Sequence, residues 1–110
     1  MGEKSLLKIL FVGLKDSEHI ISILKICRRI LDELNLRATL MHSPLLFVRE
    51  VLKEMSYDLV IVPIDIYDKF RKTLGEESFD FRIITIDYDC AMSKECLKKR
   101  LIEVLDELKN

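Results

Sequence analysis

Four apolar, β-branched runs alternate along the chain with four segments of helical period, and this alternation narrows the fold more than any other feature. "LKILFVGL" (Leu7 to Leu14) and "DLVIVPI" (Asp58 to Ile64) are continuous runs, as expected of strands covered on both faces. "LRATLMH" (Leu36 to His42) is less apolar and reads as a strand nearer an edge, and "FRIITID" (Phe81 to Asp87) is the fourth. Between the first two strands Ile20, Ile23, Leu24, Cys27, Ile30, Leu31 and Leu34 recur at three- and four-residue steps, the stripe of a long helix. Asp16 or Ser17 is placed to cap its start and Asn35 to end it.

Ser43-Pro44 reads as a helix start, with the hydroxyl as N-cap and the proline in the first turn, ahead of a stripe of Leu45, Val48, Leu52 and Met55. A shorter helix turns Tyr67, Phe70 and Leu74 inward and stops at Gly75. The last helix buries Leu97, Leu101, Val104, Leu105 and Leu108. A βαβαβαβα chain with right-handed crossovers puts helices on both faces of a parallel sheet. The expected fold is therefore a three-layer α/β sandwich of flavodoxin-like type, with a four-stranded parallel sheet of order 2-1-3-4. Residues 1–110 form a single domain, enough chain to bury roughly two thirds of its surface.

With 34% charged residues of both signs and a net charge of −1, generic attraction to nucleic acid or an anionic membrane is not favoured. The absence of Trp also argues against a base-stacking surface. No apolar run reaches the roughly 18 to 20 residues that span a bilayer, and no signal-peptide pattern opens the chain, so the expected location is the cytoplasm. The chain lacks Gln, has Asn only at 35 and 110, and is rich in Lys, Glu, Arg and Ile, a thermophile-type bias.

Cys27, Cys90 and Cys96 match neither a disulfide framework nor a zinc knuckle. Reduced thiols are the expectation, with Cys90 the reactive one at a helix start. A thermophilic source leaves a Cys90 to Cys96 disulfide open.

From Ile9 to Ile66 the chain resembles a response-regulator receiver domain. "ILFVGLKDSEHIISILKICRRILDELNLRATLM" parallels that family's first strand, first helix and second strand, and "VREVLKEMSYDLVIVPIDI" its second helix and third strand. The resemblance implies a phosphate-handling crevice whose acidic pair falls at Gly13 and Leu14 and whose phosphoacceptor falls at Pro63, so the family's phosphotransfer carboxylates are absent. A weaker resemblance is to Toprim domains: "FVGLKD" supplies Gly13 and Asp16, and "IDYD" supplies Asp87 and Asp89, while the family's catalytic Glu lines up with Val12.

In an open parallel sheet, ligands collect outside the carboxyl ends of the strands. Asp16, His42, Asp65, Asp68, Asp87 and Asp89 fall there, a set that would suit Mg²⁺ or Mn²⁺ if it converged. Asp at a strand end more commonly caps a helix or starts a turn. The basic clusters Arg28-Arg29 and Lys98-Lys99-Arg100 read as solvated faces with pairs such as Glu95 to Lys99. Taken together, the sequence points to a non-enzymatic regulatory or interaction module that binds a protein partner or itself, with no resident cofactor. The alternatives are an Mg²⁺- or Mn²⁺-dependent phosphoryl-transfer or nucleic-acid enzyme using the strand-end aspartates, and a domain that binds a small ligand or nucleotide.

Overall fold

A computed structural model describes residues 6–13 and 17–109. Four strands, β1 (Leu7–Val12), β2 (Ala38–Ser43), β3 (Leu59–Pro63) and β4 (Arg82–Ile86), form one parallel sheet in the order β2-β1-β3-β4. Leu7 lies opposite Ala38, Ile9 opposite Leu59, and Leu59 opposite Arg82. The helices are α1 (Ser17–Glu33), α2 (Val48–Glu54), α3 (Tyr67–Leu74), a single turn α4 (Tyr88–Ala91) and α5 (Lys94–Lys109). The expected fold class and strand order are those of the structure.

Side chains alternate across a strand, so each strand feeds two cores. Ile9, Phe11, Leu59, Ile61, Ile84 and Ile86 point to one face, where they meet Ile23, Cys27, Ile30 and Leu31 of α1 and Leu97, Leu101 and Leu105 of α5. Leu10, Val12, Val60 and Val62 point to the other, against Val48 and Leu52 of α2 and Phe70 and Leu74 of α3. Two covered faces leave little room for a polar residue, which is why β3 and the buried stretch of β1 from Ile9 to Val12 read as apolar runs, with Lys8 only at the entry end of β1. Fully buried leucines such as Leu97 and Leu101 each contribute on the order of 1.5–3 kcal/mol of transfer free energy.

Helix ends follow backbone chemistry. Asn35 closes α1 in the left-handed region (φ +60°), its N–H donating to the Asp32 carbonyl at 3.0 Å. Gly75 closes α3 at φ +67°, donating to the carbonyls of Arg71 and Lys72. The expected caps of α1 at Asp16 and Ser17, and the side chain of Leu108, lie outside the described residues.

The start of α2 differs from expectation. Ser43 is the buried last residue of β2, and its hydroxyl donates to the Pro44 carbonyl at 2.9 Å instead of capping a helix. Its own carbonyl accepts from Gly13 N–H at 2.8 Å, so strand pairing has claimed the residue before a helix can begin. A 3₁₀ turn, Leu45–Phe47, intervenes, and the shortened α2 leaves Met55 exposed beyond its end.

The basic residues of α5 reach across as well as along the helix. Lys94 and Lys98 both pair with Glu33 of α1, Lys98 at 3.1 Å, and these hydrogen bonds hold the Glu33 carboxyl below its usual range. Arg100 donates to the Thr85 carbonyl at 3.0 Å, joining α5 to β4.

Candidate functional site

The strand order reverses between β1 and β3, so the crevice at their carboxyl ends is the place a ligand would enter. Gly13 follows β1 there at φ +80°, a conformation that disfavours any side chain. A 3₁₀ turn, Ile64–Ile66, follows β3 and lays the Ile66 side chain directly on Gly13, so that even a Cβ at position 13 would collide with Ile66 Cδ1. Leu45, from the turn after β2, stands 3.7 Å from the same point. Two loops thus lay hydrocarbon, from Ile66 and Leu45, over the glycine of the third.

Behind it lies a cavity of about 20 Å³, lined mainly by Phe11, Val12, Ile23, Ile61 and Ile86 with Asp87 and Tyr88 at its margin. That volume is close to one water-sized sphere, and the walls are apolar. A nucleotide or phosphoryl group does not fit it in this arrangement.

The strand-end carboxylates go separate ways. Asp87 is the N-cap of α4, its Oδ1 accepting from Cys90 N–H at 2.7 Å. Asp89 is exposed in the first turn of α4 and Asp68 in the first turn of α3. Asp65 is exposed in the 3₁₀ turn, where neither that turn nor α3 receives a side-chain cap. Asp16 lies outside the described residues. Among the described residues no three His, Cys, Asp or Glu side chains assemble into a group that could hold a metal ion.

His42 shares the face of Ala38 and Leu40, toward α1, by strand alternation. Its Nε2 is buried without a hydrogen-bond partner among the described residues, and burial lowers its pKa from the usual histidine range. The neutral ring is therefore favoured, and no carboxylate among the described residues hydrogen-bonds it to orient it as a base.

Cys90 requires a correction. It is joined to Cys96 in a disulfide with a Cα separation of 5.1 Å, so it carries no free thiol in this structure. The bond links α4 to the first turn of α5, whose start is also fixed by Ser93 Oγ accepting from Cys96 N–H at 3.3 Å. The two cysteines stand six positions apart, a spacing that suits paired and free thiols alike, so the sequence alone leaves both open. Cys27 is a free core thiol whose pKa burial pushes up to about 12, so it remains protonated and unreactive.

Beside the crevice large apolar side chains are exposed among the strand-end aspartates. Leu46 is 77% exposed, Ile64 60% and Phe47 54%, all in the turns that follow β2 and β3. The sequence stripe placed Leu45 correctly inward but could not show that a 3₁₀ turn would send its two neighbours into solvent. The Ile66 contact with Gly13 was equally invisible, because it depends on the angle at which the chain leaves β3. No described helix is long and apolar enough to cross a membrane. No family model and no curated protein sequence matches the chain.

Proposed function

We propose that this chain is a receiver-like regulatory or protein-interaction module that works without catalytic turnover. One observation carries the reading: the crevice where such a sheet would hold a ligand is packed with Ile66 against Gly13, and its rim exposes Leu46, Phe47 and Ile64. Three large apolar side chains exposed in neighbouring loops of a small domain favour contact with another protein surface. The positions that correspond to receiver chemistry support the same view, since Gly13 and Pro63 offer no carboxylate.

The competing metal-dependent reading needs Asp16, Asp65, Asp87 and Asp89 to act together, and Asp16 lies outside the described residues. Asp87 is already engaged as a helix cap, and Asp65 and Asp89 are exposed on separate turns. The test is a ¹⁵N-correlated NMR titration with Mg²⁺ and then Mn²⁺. The module reading expects no saturable change at the amides of residues 64–68 and 87–90. Saturable shifts or paramagnetic broadening there at submillimolar metal, lost in Asp87→Asn, would overturn it in favour of a metal site.

A further inference from the structure

β2 is an edge of the sheet, and its hydrogen-bonding direction can be read from its pairing. Leu7 N–H donates to the Arg37 carbonyl and Gly13 N–H to the Ser43 carbonyl, so residues 37, 39, 41 and 43 turn their backbone groups toward β1. In a parallel ladder the intervening residues then turn both N–H and C=O outward. Ala38, Leu40 and His42 form that outer row. The Ala38 carbonyl accepts from the Arg28 guanidinium at 2.9 Å, and among the described residues no strand covers Leu40 or His42.

Beside this open edge runs a groove walled by Ile21, Leu24, Lys25, Arg28 and Arg29 of α1 and floored by Leu40. Ile21 is 52% exposed within it. Lys25 and Arg29 make no ion pair among the described residues, and Arg28 spends its hydrogen bond on a carbonyl, so none of these three positive charges is paired with a described carboxylate. On the opposite face of the same edge Met41 is 40% exposed.

We infer that the outer edge of β2 accepts an extended acidic segment of a partner protein as an added strand. Its main chain pairs with Leu40 and His42, its carboxylates lie toward Lys25, Arg28 and Arg29, and its alternate apolar side chains lie toward Met41. Backbone pairing supplies affinity in such strand addition, and side-chain alternation supplies selectivity. A second copy of the chain is the wrong occupant, because a two-fold pairing of β2 with β2 would bring two sets of three cations together. The same charges that guard the edge against self-pairing select an acidic guest.

This inference rests on the module reading and names a partner for a surface away from the filled crevice. The probe is a blocked heptapeptide of alternating glutamate and valine, titrated into the ¹⁵N-labelled full chain, with an alternating lysine-valine peptide and a single-stranded oligonucleotide as comparisons. The expected result is saturable change at the Leu40 and His42 amides with the acidic peptide alone. Lys25→Glu with Arg29→Glu, both on the exposed flank of α1, weakens that binding by at least about tenfold while the spectrum stays folded. Binding of the lysine peptide or of the oligonucleotide at the same amides overturns the acidic-strand assignment, as does silence at millimolar peptide or shifts confined to residues 45–47 and 64–66. Such a failure leaves the module reading standing, because metal titration tests that separately.

Discussion

On one face of the sheet, helices of 17 and 16 residues lie over Ile9, Phe11, Leu59 and Ile61, and Glu33 ties the two together through Lys94 and Lys98. On the other, helices of 7 and 8 residues cover Leu10, Val12, Val60 and Val62, and each is entered through a 3₁₀ turn that leaves large apolar side chains in water. The long-helix face is closed along the centre of the sheet and open only at the β2 edge. The short-helix face is closed in its middle and unfinished at the carboxyl end of the sheet. The contrast places the longer covering helices on the α1/α5 side and the three most exposed large apolar side chains among the described residues, Leu46, Ile64 and Phe47, on the α2/α3 side.

Core truncation should show the largest effect and should divide the two faces. Leu101→Ala, at a fully buried α5 position, is expected to lose about 3–5 kcal/mol in urea unfolding, and Leu52→Ala, at the margin of α2, about 2–3 kcal/mol. Equal losses would break the comparison. Reduction of Cys90–Cys96, or Cys96→Ser, removes a short-loop constraint on the same strong face and is expected to lower stability by about 2 kcal/mol. Denaturation midpoints with and without reductant measure this directly, and coincident curves would mean that the link carries no stability.

Gly13→Ala tests the junction between the faces. A side chain at φ +80° costs about 1–2 kcal/mol, and the new methyl must also displace Ile66. Ile66→Ala in the same chain should recover only the collision and leave the backbone cost. Full recovery would show that backbone strain is not the reason for glycine here.

The smallest effect is set by pH. Burial holds folded His42 below the usual value of about 6.5, so the unfolded chain takes up this proton first. Its stability contribution is complete above that value and declines as pH falls through the window just beneath it. Glu33 and Glu77, lowered by Lys94 and Lys98 and by Arg49 and Lys53, lose theirs only in a later window below about 4.3. His42→Leu should remove the first decline from a melting-temperature profile and leave the second.

The strands were legible because a doubly covered strand is apolar nearly throughout, as β3 is at all five positions and β1 is at every position but Lys8. The helix stripes of α1 and α5 were legible for the corresponding reason, since Ile23, Cys27, Leu97 and Leu101 keep helical spacing and are buried. What escaped the sequence depends on where one element yields to the next. Ser43 could serve as a cap or as a strand end, and only its pairing with Gly13 decides between them. Asp87, Asp65 and Asp89 are alike in sequence, yet only Asp87 has an amide of α4 within reach of its carboxylate. The site itself was least legible, because a crevice is defined by what fills it, and Ile66 carries no chemical signature.

The pairing of Lys94 with Glu33 spans 61 residues. A ribosome adding about 5–20 residues per second takes about 3–12 s to cover that interval. During that time the stripe of α1 has been made but the helix that covers it has not. Ile23, Cys27, Ile30 and Leu31 then depend on the sheet alone for shelter, with the Cys27 thiol not yet sealed away. Nascent chains of this protein are therefore expected to be most vulnerable to chaperone capture and thiol oxidation in those seconds, before α5 arrives.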